Sequence, residues 1–130
     1  MNTNSIFINA EVADDYTTLA KGLMFRKDLP TNDGMLFKFN GLTEARFWGL
    51  NTYIPLDIAF VDNENTIIDI NNIVPHSTKH VHSAKPCLMA IETNYGFFKN
   101  NNIGIGDKIE IDKSEKNAKI KFIKNEKNIK

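Results

Sequence analysis

The residues best suited to chemistry lie around one corner of the chain, residues 51–55, between two runs of strand-forming residues. Asn51 opens the corner, Trp48 is the single tryptophan just before it, and Asp57 begins the apolar run after it. Binding pockets are usually apolar with a few placed polar groups. The pattern therefore predicts a site for a small polar ligand at the corner formed by Trp48, Asn51 and Asp57.

Two arginines, Arg26 and Arg46, extend this predicted ligand-binding site. The chain has 14 lysines and only these two arginines, and both arginines lie within apolar segments. A guanidinium offers a rigid fork of donors that a lysine cannot copy. The sequence leaves two interpretations open for each arginine, which are a ligand contact and a structural ion pair or backbone clamp.

Asp57 and Glu92 are the acids with a candidate catalytic role. As an acid and base pair they would suit a small hydrolase or transferase, but the distance that decides this is not given by sequence. Asparagine and aspartate at a corner also often bond to their own backbone. The sequence thus leaves enzymatic activity open and favours binding.

His80 and His82 are the weaker candidates, for a metal site. They are two residues apart, so an extended loop would place both on one face, with Glu92 ten residues further on. The polar segment 74–86 that contains them reads as an exposed loop, where histidine needs no special role. We therefore predict no metal ligand and no cofactor. Cys87 lies in an apolar run without a neighbouring base and is interpreted as a buried small hydrophobe.

Composition excludes several classes of protein. The 130 residues carry a formal net charge of zero, so no basic field exists to gather nucleic acid. No apolar run approaches the roughly 20 residues that span a bilayer, and we expect no membrane partner. The first residues lack the features of a signal peptide, which predicts a cytoplasmic protein, or an exported one if such a peptide was trimmed. Nine phenylalanines leave a protein-interaction module as a second alternative, and the oligomeric state is not predicted.

Alternating apolar residues predict eight short strands and two short helices. One helix follows Asp15 and ends at Gly22, and the other covers residues 93–102 with Thr93 as its cap. The predicted strands cover residues 6–12, 35–39, 45–50, 57–62, 66–74, 87–91, 108–111 and 118–123.

These elements predict a mainly β fold, either a compact β sandwich or a partly open barrel of about seven to eight strands with two short helices. A single domain is predicted over residues 5–124, followed by a frayed charged tail at residues 125–130. We expect one hydrophobic core, which would contain Phe37, Phe47, Phe60, Ile68, Leu88 and Ile109.

Six spaced motifs resemble the family called domain of unknown function 192, over residues 12–111. The resemblance implies a compact, mainly β, sandwich-like domain of bacteria, archaea and phages with no established activity. Many members carry an export signal, which this chain lacks. The family usually has methionine where Gly49 stands and a polar residue at Leu50, and we expect these changes to open space beside Trp48 or alter its contacts. The motifs are GLMFR at 22–26, DGMLF at 33–37, RFW at 46–48, NTYIPLDIAFVD at 51–62, ETNYG at 92–96 and GIGD at 104–107.

Overall fold

The computed structural model describes residues 6–125, which form nine strands and two short helices. This confirms the predicted mainly β class. None of the helices in this part of the chain is long and apolar enough to cross a bilayer. The strands are β1 (Ile6–Ala13), β2 (Asp33–Thr43), β3 (Arg46–Phe47), β4 (Leu56–Val61), β5 (Ile67–Ile73), β6 (Val81–His82), β7 (Cys87–Asn94), β8 (Lys108–Ser114) and β9 (Asn117–Ile123), and the helices are α1 (Tyr16–Lys21) and α2 (Phe97–Asn100).

Seven strands form one sheet in the order β5-β4-β7-β2-β1-β9-β8. All neighbours are antiparallel except β1 and β2, which are parallel. The sheet curls until its outer strands meet at one end, where Thr66 and Lys108 form an isolated bridge and the Ile67 amide donates to the Asp107 carbonyl at 2.8 Å. The fold is therefore a partly open barrel, one of the two predicted architectures.

The seam between the outer strands is fixed by a buried acid, Asp107. Its carboxylate accepts the Gly104 amide at 2.8 Å and the Asn125 amide at 2.9 Å, and it pairs with the Lys124 ammonium at 3.3 Å. Asn125 is the first residue of the predicted charged tail. Residues 126–130 of that tail lie outside the described residues.

Strands β3 and β6 form a separate two-stranded ribbon, in which Arg46 lies opposite His82 and Phe47 lies opposite Val81. The predicted strand at 45–50 is thus reduced to two residues, because the chain after Trp48 bonds to a loop instead of a strand. The Gly49 amide donates to the Ser77 carbonyl at 2.8 Å. The predicted exposed loop 74–86 is correspondingly wrong at β6, where pairing with β3 satisfies the backbone of a polar segment.

The prediction of one hydrophobic core is wrong, because the sheet separates two apolar layers. Successive side chains of a strand point to opposite faces, and all six residues of β4 are buried, so both faces are covered. The layer inside the curl holds Ile109, with Leu88 packed against it, and the phenylalanines of α2. The outer layer holds Phe37 and Phe60, with Phe47 and Ile68 packed against them.

Helix α1 follows its sequence signals, whereas α2 does not. The Asp15 carboxylate caps α1 by accepting the Thr18 amide at 2.8 Å, and Gly22 ends the helix with φ 51°. Thr93, the predicted cap of the second helix, instead lies buried within β7. The helix begins after Gly96, because strand pairing of residues 87–94 takes precedence over the helical spacing.

Candidate functional site

A cavity of about 480 Å³ lies over the outer apolar layer, between α1 and the β3–β6 ribbon. We call it the aromatic cavity, because Phe37, Phe39, Phe47 and Trp48 all line it. The Phe37 and Phe47 rings pack edge to face with centroids 4.9 Å apart. Trp48 is 37% exposed. Its ring therefore borders both the cavity and solvent.

Glu92 lies on the floor of the aromatic cavity, in the middle of the sheet. Its register partners are Met35 on β2 and Ile58 on β4, and it is 5% exposed. Its carboxyl group has no hydrogen-bond partner within residues 6–125. In that range no buried side-chain polar atom lacks both a partner and access to open space. The carboxyl oxygens of Glu92 therefore contact the cavity.

Burial raises the pKa of Glu92 from its ordinary value of 4.5 to about 8. No neighbouring cation or donor offsets this desolvation, which disfavours the charged form of an acid. At pH 7 the group is mostly the neutral acid, which both donates and accepts a hydrogen bond. Glu92 can therefore bind a polar group or transfer a proton close to neutral pH.

Asp57 lies on the opposite face of the sheet from Glu92. Asp57 is paired with Thr93 across β4 and β7, whereas Glu92 is paired with Ile58, and directly opposed residues share a face. The Asp57 carboxylate accepts the Gly96 amide at 2.9 Å and so ties the turn before α2 to β4. Burial raises the pKa of Asp57, and the Gly96 and Phe98 amides oppose that rise. Asp57 and Glu92 cannot act together as an acid and base pair on one substrate.

Two other residues of the predicted ligand site also lie outside the aromatic cavity. Asn51 has φ 58°, and its carbonyl accepts the Phe25 amide at 2.8 Å. Arg26 forms a bidentate ion pair with Glu11, in which each N–O distance is 2.6 Å. This pair lowers the pKa of Glu11, chiefly through the side-chain hydrogen bonds. The corner of Trp48, Asn51 and Asp57 is not assembled as one site, and Arg26 is engaged in a structural ion pair.

The structure brings together Arg46, Trp48 and Glu92 from the predicted residues. The sequence did not single out the other residues that line the cavity, notably Lys21, Phe39 and Thr52. One usable signal was present. Phe37 and Phe39 alternate along β2, which places their side chains on one face. An acid inside an otherwise buried strand was the corresponding signal for Glu92.

The two candidate histidines line a second cavity of about 470 Å³, on the other side of Arg46. We call it the basic cavity, and its polar lining consists of Glu44, Arg46, His80, His82, Ser83 and Lys85. The His80 ring contacts the Trp48 ring with centroids 5.4 Å apart. No group of three or more histidine, cysteine or acidic residues in the described ranges is placed to hold a metal ion.

Comparison with protein families matches residues 1–111 to the family DUF192, described as Uncharacterized ACR. The chain belongs to this family. A structure from Sinorhizobium meliloti, provisionally called a transcription regulator, is 36% identical to this DUF192 chain with a TM-score of 0.77, and the match covers 79% of this chain and 81% of that one. A protein of unknown function from Novosphingobium aromaticivorans is 40% identical with a TM-score of 0.75, covering 78% and 73%. No curated protein matches the sequence.

The DUF192 chain does not open space at Gly49. A Cβ atom added there would overlap the carbonyl oxygen of Val74 and lie 3.2 Å from the Ser77 nitrogen. The Gly49 carbonyl also accepts the His76 amide at 2.7 Å. Glycine therefore lets the loop 74–77 pack against the backbone beside Trp48, and the contact of Trp48 with His80 is on the same side chain that the family motif carries.

We predict that Gly49→Ala destabilises this DUF192 domain by about 1 to 3 kcal/mol, the usual cost of overpacking. Either the loop 74–77 or the Trp48 segment must move to admit the methyl group. Urea unfolding measures the effect. Gly104→Ala is the matched control, because nothing lies within 4 Å of a Cβ there. Equal stabilities of the two variants would contradict the close packing at Gly49.

Proposed function

We propose that the protein binds a small, largely apolar molecule in the aromatic cavity, with a polar group of that molecule against Glu92. The observation that carries this proposal is the buried carboxyl of Glu92, which faces the cavity without a partner in the described chain. A buried polar group without a hydrogen bond costs free energy. A ligand that supplied the missing bond would gain from this arrangement.

The walls of the cavity support the same proposal. Aromatic rings give a large apolar contact surface with few rotamers to restrict, and four of them surround the floor. Their positions are set by strand pairing and by ring packing within the outer layer, as in the contact of Phe47 with Phe60 at 5.9 Å between centroids. The site is therefore built on rigid elements, which suits specific binding.

A catalytic role for Glu92 is the second candidate. A glutamic acid with a pKa near neutrality is suited to general acid or base work, and burial in a cleft is how proteins achieve it. Binding is better supported, because the lining residues of the cavity include neither histidine nor cysteine to serve as a partner or nucleophile. Turnover of a cavity ligand that is lost in Glu92→Gln while binding persists would favour catalysis.

The binding proposal predicts that Glu92→Leu weakens a cavity ligand at least tenfold, since the ligand's polar group loses its partner. A thermal-shift screen of small ring compounds bearing hydroxyl, carbonyl or amine groups supplies the ligands, and calorimetry measures their affinities. Trp48 is the single tryptophan, so its fluorescence reports entry into the cavity. Glu64→Gln, a change at an exposed acid, is the control. Hits that bind Glu92→Leu and Trp48→Ala as tightly as the wild type would refute the site.

A further inference from the structure

One face of the β3–β6 ribbon carries four side chains that recognise anions and rings. Arg46 and His82 are directly opposite in the register, so their side chains share a face. Trp48 and His80 join them, because each is two residues from one of this pair and their rings are in contact. The opposite face of the ribbon carries Phe47 and Val81, which pack on the outer layer.

The charges of the basic cavity are unbalanced toward the positive. Arg46 and Lys85 are full cations, two imidazoles stand beside them, and Glu44 is the one carboxylate of the lining. Within residues 6–125, neither Arg46 nor Glu44 forms an ion pair. The chain's other arginine, Arg26, is by contrast fully engaged with a carboxylate. Arg46 therefore presents an unused guanidinium, the group that best matches the geometry of a carboxylate or phosphate.

The loop that closes the basic cavity is held by its own hydrogen bonds. The Asp69 carboxylate accepts the Ala84 amide at 3.1 Å, and the Ser83 hydroxyl donates to the Lys85 carbonyl. Asp69 is thereby occupied as an acceptor at the back of the loop. These contacts fix the segment that carries Lys85 before any ligand arrives, which lowers the ordering cost of binding.

The aromatic and basic cavities meet at the same two residues. Arg46 lines both cavities, and Trp48 lines the aromatic one while its ring contacts His80 in the basic one. A single molecule placed against Trp48 would therefore reach Arg46 with one end and the aromatic walls with the other.

From this geometry we propose that the basic cavity is an oxyanion-binding site, and that the ligand is an organic anion whose phosphate or carboxylate contacts Arg46 and His82. Its identity as a ligand with an apolar body in the aromatic cavity rests on the proposed function. A phosphate monoester fits best, since it carries close to two negative charges at pH 7 and three acceptor oxygens. Those acceptors match a guanidinium with two imidazoles and an ammonium.

Calorimetry with three probes separates the two cavities. The probes are 4-tert-butylphenyl phosphate, 4-tert-butylphenol and inorganic phosphate. The ester is expected to bind the wild type at least tenfold more tightly than the phenol, because it alone engages the basic cavity. Arg46→Gln and His82→Gln should each remove most of this advantage, and Arg26→Gln should leave it unchanged. His82 lines the basic cavity and not the aromatic one, so His82→Gln should leave the affinity for the phenol within about twofold.

The outcomes distinguish failure of this inference from failure of the proposed function. Equal affinities of ester and phenol for the wild type would overturn the oxyanion site and leave the aromatic cavity standing. An ester advantage that persists in Arg46→Gln would also overturn it. If the phenol does not bind, the aromatic cavity fails as its site. Inorganic phosphate then decides the basic cavity alone, supporting it if binding is lost in Arg46→Gln and overturning it if there is no binding.

Discussion

Replacing Glu92 with glutamine is expected to abolish a loss of stability that the wild type suffers as the pH rises. In the folded protein burial raises the pKa of Glu92 from 4.5 to about 8, so folding favours its protonated form. The resulting stabilisation is complete below pH 4.5, declines as the pH rises and is gone above pH 8. The shift corresponds to an upper limit of about 5 kcal/mol between these extremes.

Urea unfolding of the two proteins between pH 4.5 and pH 9 measures this effect. Glutamine cannot ionise, so the difference in unfolding free energy between Glu92→Gln and wild type should move in favour of the variant by several kcal/mol over that range. Other titrating groups are common to both proteins and cancel in the difference. Glu64→Gln, at an exposed acid, should follow the wild type at every pH. A difference that is constant with pH would mean that Glu92 is not desolvated.

Truncation of Phe60 to alanine is expected to cost about 3 to 5 kcal/mol, the usual range for a buried phenylalanine. Phe60 is 0% exposed and lies on β4 in the outer apolar layer, where its ring contacts that of Phe47. The space left by the ring would be bounded by strands on both sides, which limits the relaxation that reduces such costs.

The midpoint and slope of urea unfolding test the role of Phe60. Phe25→Ala provides a phenylalanine change of the same size at a residue that is 56% exposed, and it should cost less than about 1 kcal/mol. A Phe60→Ala protein as stable as Phe25→Ala would show that the outer layer contributes little to stability. The slope should stay unchanged if both variants unfold as the wild type does.

Local pattern predicted the strands well, because a period of two is a property of neighbouring residues. The segment 57–62 reads as a strand in isolation and forms β4 almost at those bounds. The division into two apolar layers was not predictable in this way. It depends on the curl of the whole sheet and on which segments cover its outer face, and neither is encoded in any single stretch.

The predicted corner failed for a related reason. Asn51 and Asp57 are close in sequence, but the face that Asp57 occupies is set by its place in β4, where a shift of one residue reverses every side chain. Glu92 was visible as an acid within an apolar strand. Its surroundings were not visible, since α1 and the β3–β6 ribbon reach the cavity only through long-range folding.

The position of β9 has a practical consequence for how the domain can be cut. The family match ends at residue 111, within β8, whereas β9 lies between β1 and β8 in the sheet. A shortened chain that stopped at the family boundary would leave the whole length of β1 unpaired on one side. Open edges of this kind template association with other chains. Designers of expression fragments or fusions should therefore retain the chain through Asn125, whose amide also binds the carboxylate that fixes the barrel seam.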